Sequence, residues 1–215
     1  MEAMGFSGYF CSIQPGEDVI IEYSSHDPAY VLLKTLIDCL KEHDMPILIV
    51  DELDQLHVFK THMMLAGFDT TAIDQIKVIK IGGLIQTGDV VGWIELSKEL
   101  PIRKKRYEEA LRKANLDFSF RIVLGFDKVL SIHEEDRRDL ESLFNHMIRP
   151  YLGSRSRTTV YFINTDLITD RTLKEFREHA SRVFRVRHEI DKIVLKIMKS
   201  PHISEYGEEI AVPLE

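Results

Sequence analysis

Short runs of branched apolar residues recur along this chain, separated by stretches in which apolar residues return every three or four positions. A run too short for a helix yet apolar at consecutive positions is buried on both faces, as a parallel sheet covered by helices on either side requires. That alternation constrains the fold more than any single residue does. Strands are expected at 18–23, 46–50, 76–81, 90–96, 118–124 and 159–163, with helices at 28–43, 53–65, 101–115, 134–152 and 172–180 between them. Residues 90–96 follow the turn-rich segment 82–89 so closely that they are expected to fold back on 76–81 as a hairpin. Three further strands, at 183–187, 193–198 and 208–212, read as an antiparallel C-terminal edge. The expected fold is α/β, one mainly parallel sheet flanked by helices over 13–215, preceded by an extension, 1–12. Residues 1–12, 82–89 and 153–157 read as its flexible pieces.

A length of 215 residues suits one such domain. The net charge of −7 argues against a general nucleic-acid binder, which needs a basic excess to neutralise phosphates. Cys11 and Cys39 are the only cysteines, and their spacing suggests neither a disulfide framework nor a zinc site; a reducing cytoplasm is expected. Met1-Glu2-Ala3-Met4 does not open a signal peptide, and no apolar stretch approaches the roughly 20 residues of a membrane helix. Four Gln and three Asn beside 29% charged residues is the composition of heat-adapted proteins.

Four segments in order carry a resemblance. Ile13-Gln14-Pro15-Gly16-Glu17-Asp18-Val19-Ile20-Ile21 resembles the Pro-Gly lead-in to the first core strand of KaiC and RadA-type ATPases. Pro46 to Glu52 resembles their second strand with its acidic end, and Leu65-Ala66-Gly67-Phe68-Asp69 the close of their second helix. Ile193 to His202, followed by Ile210, is similar to the strand, Lys-x-Arg-Gly-x-x-His, strand ending of that family. The chain is thus identified as resembling a degenerate RecA/KaiC-like core, of a kind found in uncharacterised archaeal proteins.

The departure from that family is as informative as the match. An active member carries Gly-x-x-x-x-Gly-Lys-Ser/Thr after the first strand, so that backbone N–H groups surround the phosphates, the lysine neutralises them and the hydroxyl holds Mg²⁺. Here the segment is Glu22-Tyr23-Ser24-Ser25-His26-Asp27-Pro28, without glycine or lysine and with two carboxylates where a triphosphate would sit. Where the family commonly has a metal-binding Asp this chain has Gly125, with Asp127 two positions later. Hydrolysis of a nucleotide is not expected.

Other groups compete for a role. Asp51 and Glu52, with Asp127, could form a ligand edge at the carboxyl ends of the strands, while Asp54 reads as a helix cap. His57 and His62 would lie about 140° apart around a helix, a poor metal site. Arg103 to Arg106 precede Glu108 and Glu109 at helical spacing and read as a solvated, ion-paired face. Lys196 and Lys199 resemble family positions that face a neighbouring subunit's nucleotide and, without a nucleotide site, read as a solvated sheet edge; the resemblance also implies that Phe6, Tyr9 and Phe10 could dock on another copy by strand addition. The expected function is therefore a binding or assembly module for a protein or peptide segment, without cofactor or resident metal. A metal-dependent hydrolase or nuclease using Asp51, Glu52 and Asp127, and a nucleotide sensor, are the alternatives.

Overall fold

A computed structural model of the chain describes residues 5–96 and 99–214, so the first four residues of the expected extension lie outside it. The first strand, β1 (Asp18–Tyr23), is buried along its whole length. Val19 and Ile21 point into one hydrophobic cluster and Ile20 into the other, as the two-residue period of a strand with two covered faces demands. The remaining strands are β2 (Ile47–Glu52), β3 (Lys77–Ile81), β4 (Asp89–Ile94), β5 (Ser119–Leu124), β6 (Arg157–Asn164), β7 (Arg182–His188), β8 (Lys192–Lys199) and β9 (Glu209–Pro213). They form one sheet in the order β4-β3-β2-β5-β6-β1-β7-β8-β9. Neighbours from β4 to β7 run parallel; β8 and β9 add the antiparallel edge.

One face is covered by α1 (Phe6–Cys11), α2 (Ala29–Glu42), α3 (Gln55–Leu65) and the short α4 (Thr71–Asp74). The other carries α5 (Leu100–Ala114), α6 (Phe126–His133), α7 (Arg137–Leu143) and α8 (Asp170–His179). In α2 the residues Val31, Leu32, Leu36, Cys39 and Leu40 are buried, the stripe that its apolar spacing requires. No helix among the described residues is long and apolar enough to cross a membrane.

Four expectations need correction. β4 does not fold back on β3 but pairs with it in parallel, Lys77 opposite Asp89 and Ile81 opposite Ile94. The connection 82–88 can span about 23 Å when extended, enough to return along a five-residue strand without a crossover helix. The helix expected at 134–152 is broken: α6 begins at Phe126, and Asp136 caps a new helix by accepting from the Arg138 N–H at 2.7 Å. A π-helical turn, Phe144–Ile148, then runs into Pro150, which has no N–H to continue the ladder. Segment 153–157 ends in a buried clamp rather than a loose loop, for Arg157 forms a 2.9 Å ion pair with Asp18.

The fourth correction concerns the N-terminal aromatics. Phe6, Tyr9 and Phe10 are buried in this chain's own core. Phe10 stacks on Phe6 and on Phe184 of β7, with ring centroids 4.4 and 5.4 Å apart. The Tyr9 hydroxyl donates to Glu205 at 2.6 Å while the Arg182 guanidinium lies 5.1 Å from its ring. These rings close the core beneath β7 and are not available as anchors for another copy.

Candidate functional site

β1 leads to β2 through α2 on one face, whereas β6 leads to β7 through α8 on the other, passing over β1. Where connections diverge in this way a crevice opens at the carboxyl ends of the strands. Here it is a cavity of about 680 Å³, walled by the loop after β1, by α8 and by the end of β7. It lies at the position where the resemblance places a phosphate-binding loop.

Its floor is a buried carboxylate held by arginines of the cavity wall. Glu22, 2% exposed, is the last but one residue of β1 and accepts two hydrogen bonds from Arg177 of α8, the one from Nη2 at 2.7 Å. Arg185 of β7 comes within 3.6 Å of the same carboxylate. The hydrogen bond with Glu22 holds the Arg177 guanidinium above its usual range, so it stays charged. Arg185, Arg187 and His188 continue along the cavity wall.

β7 outruns its neighbour. Its pairing with β1 ends at Glu22 opposite Arg185, while its pairing with β8 continues through Val186 and Arg187 to His188 opposite Ile193. Val186, Arg187 and His188 therefore present the backbone edge that β1 would have occupied to the cavity that they line. An unpaired edge of this kind can accept a further strand.

The loop after β1 is tied to the protein itself. Asp27 accepts from the Ser24 N–H at 2.7 Å and from the Ser24 hydroxyl at 2.8 Å; it does not cap α2, whose N-cap is Pro28. Asp166 accepts from the Ser25 N–H at 2.8 Å. The Asp27 N–H bonds the Ser24 carbonyl and the Ala29 N–H the Asp27 carbonyl. Donors that a phosphate-binding loop would aim at its ligand are here committed to the chain's own carboxylates and carbonyls. Tyr23 is buried, and His26 borders both this cavity and a smaller one of about 400 Å³ on the other side of the loop.

The second group of acidic residues is sealed. Asp51 is fully buried, accepts from the Leu56 N–H at 2.8 Å and pairs with Lys80 at 2.8 Å. Asp51 is thus the residue that caps α3, while Asp54 binds Lys80 and the N–H groups of Leu84 and Ile85. Glu52 is buried, and that burial pushes its carboxyl up to about 8 against the attraction of Arg103, with Asp127 and Asp51 adding to the rise. Asp127 lies in the first turn of α6 and accepts from the Asn164 N–H at 2.7 Å and the Lys128 N–H at 2.9 Å; burial raises it too. Gly125 has φ of 83°, and a Cβ there would meet the Glu52 carbonyl oxygen at 2.2 Å, so no aspartate can stand at that position. Among the described residues, only Cys11, Cys39 and His43 bring three ligand atoms within 4.8 Å of one another. Asp51, Glu52 and Asp127 do not converge into a metal-binding set.

Sequence reasoning missed Asn164, Asp166, Arg177 and the end of β7. Asn164-Thr165-Asp166 after an apolar strand was a readable turn signal, and the Asn164 side chain does bridge the turn to Ser25 at 3.0 Å. Arg177, on a charged helix, gave no signal. Of the basic run, Lys104 reaches Glu108 at 3.9 Å as expected, but Arg103 is buried. His62 packs edge-on against Tyr30 rather than beside His57. Lys199 donates to the Arg177 carbonyl at 2.9 Å.

The fold is an α/β core of the KaiC/RecA-like kind. A KaiC-like protein of the hyperthermophilic archaeon Pyrococcus horikoshii, PH0186, superposes with a TM-score of 0.60 at 12% identity over 93% of this chain and 91% of its own. The chain belongs to the family described as "Pyrococcus protein of unknown function, DUF257", whose model matches residues 8–211. The P. horikoshii protein studied as PH0250 is similar along its whole length, with 26% identity, a TM-score of 0.84 and coverage of 99% of this chain and 100% of that one. The uncharacterised P. horikoshii protein PH0321, solved in complex with an unknown peptide, shares the fold at a TM-score of 0.60, with 17% identity and 94% of each chain covered. Comparison with curated proteins yields no match.

Proposed function

We propose that this protein is a non-catalytic binding module that takes an extended peptide segment into the cavity between α8, the loop after β1 and the end of β7. The observation that carries this reading is the overhang of β7, whose backbone edge from Val186 to His188 lines the cavity beyond the last β1 pair. A guest strand satisfies such an edge by main-chain hydrogen bonds, and side-chain pockets then select its sequence. Arg185 and His188 favour a segment with acidic side chains, since Glu22 is already held by Arg177, while Arg187 is engaged by Glu189 and Glu209. The peptide bound by PH0321 supports the reading through likeness of fold.

Nucleotide hydrolysis is not part of the proposal. The loop 22–28 has neither glycine nor lysine, and the N–H groups of Ser24 and Ser25 are engaged by Asp27 and Asp166. The test is selection of random displayed peptides against the full chain, followed by titration of the selected peptide into wild type and Arg185→Glu. Binding of an acidic extended peptide, weakened at least about tenfold by the reversal (about 1.4 kcal/mol), is the expected result. Failure of the selection, or a selected peptide indifferent to Arg185, would refute it. Phosphate release from Mg-ATP in proportion to protein would refute the non-catalytic half.

A further inference from the structure

Cys11 ends α1 and Cys39 lies late in α2, 28 positions on, yet their Sγ atoms are 3.3 Å apart. The spacing in sequence gave no hint of this. Cys39 is 3% exposed and accepts from the Ser7 hydroxyl at 3.2 Å, whereas Cys11 is half-buried and reachable from solvent. Two thiols so placed need only small side-chain rotations to reach the ~2.05 Å of a disulfide bond.

We propose that Cys11 and Cys39 form an intramolecular disulfide that staples α1 to α2, made by exchange with a small-molecule disulfide. The Cys11 thiolate attacks one sulfur of that oxidant, forming a mixed disulfide and expelling one thiolate. The Cys39 thiolate then attacks Cys11 Sγ, the mixed bond breaks and a second thiolate leaves. The two protons given up by the cysteines end on the two released small thiols; the protein is oxidised by two electrons and the reagent reduced by two. Burial and the bond to Cys39 push the Cys11 thiol up to about 12, so thiolate is scarce at neutral pH and exchange is slow. That suits a lock and not a catalytic dithiol. The staple acts where it matters for packing, because α1 carries the Phe10 ring that stacks on Phe184 of β7. The inference stands apart from the peptide groove.

The experiment compares the full chain after incubation with oxidised glutathione and after incubation with a reductant, reading intact mass, thiol alkylation under denaturing conditions and Tm. The expected result is loss of two hydrogen atoms, no alkylated cysteine, a monomer, and a Tm about 10 °C above the reduced form for a loop of this length. Cys11→Ser should abolish the difference between the two conditions; the wild-type comparison needs no variant. Two alkylated cysteines after oxidation, a mixed disulfide that never resolves, a disulfide-linked dimer or an unchanged Tm would overturn the proposal. So would stoichiometric Zn²⁺ bound by Cys11, Cys39 and His43 that protects both thiols from the oxidant.

Discussion

Two stretches of the same sheet edge handle charge in opposite ways. At β2, β3 and β5, Lys80 is fully buried between Asp51 and Asp54, and Glu52 and Asp127 are closed off behind it. At β1 and β7, Glu22 is as buried as Glu52, but the arginines that hold it stand in the wall of an open cavity. The residue types are alike and the consequences are not. Carboxylates in the sealed stretch bind backbone N–H groups and a lysine and so fix strand to helix. Those in the open stretch hold arginines in place and fill the loop donors, leaving an unpaired strand edge as the feature offered to a partner. Acidic residues at the carboxyl edge of a parallel sheet are thus a site only where the connections part.

The largest effect expected from breaking this contrast is on the sealed side. Lys80→Met strands two carboxylates, one of them wholly buried, and should cost about 4 kcal/mol in chemical denaturation. Adding Asp51→Asn should recover part of the loss. A cost below about 1 kcal/mol would mean that the ion cluster does not hold this region together. Phe10→Ala should follow at about 3 kcal/mol, because the ring is fully buried against Phe6 and Phe184 behind the open region's own strand. A variant that kept its stability but changed its oligomeric state would restore the reading of the N-terminal segment as an assembly arm.

Glu52 adds a pH dependence peculiar to the sealed side. Its folded-state carboxyl titrates at about 8 against 4.5 for the free group, so the folded chain keeps a proton that the unfolded chain releases. Its contribution is intact below about 4.5 and is lost as pH rises toward 8. Denaturation of wild type and Glu52→Gln across that window should show the variant gaining on wild type as pH rises; parallel curves would exclude a buried, protonated Glu52. In the open region Asp27→Ala should cost only about 1 kcal/mol, since it removes two hydrogen bonds from a partly exposed loop. Smallest of all is the response to Mg-ATP: Tm should not move, where a ligand at 100 times its Kd would add about 2.7 kcal/mol.

The strands and most helices were legible because burial on both faces leaves a run such as Val19-Ile20-Ile21 with no other reading. The parallel pairing of β4 was not, since periodicity says where a strand is but nothing of its direction, and segment 82–88 can serve a hairpin or a return. The break before α7 turns on one cap, Asp136, which an apolar-period reading passes over. At the site, the loop 22–28 was readable because what it lacks is local in sequence. Arg177, Asp166 and the β7 overhang were not, because they reach the cavity from elements more than 130 residues further along the chain, by a register that no local pattern encodes. Cys11 and Cys39, 28 positions apart, meet through the packing of α1 on α2, which no local pattern encodes either.

The central claim is that the open edge of β7 is the binding surface. The measurement that bears on it most directly is amide hydrogen exchange of the full chain with and without the selected acidic peptide, resolved at Val186, Arg187 and His188. The account predicts slowed exchange on at least one of these three amides when the peptide is bound, with the sealed residues Asp51 and Glu52 unchanged. Protection confined to β4 or β9 at the ends of the sheet, or none at Val186 to His188 under saturating peptide, would contradict it.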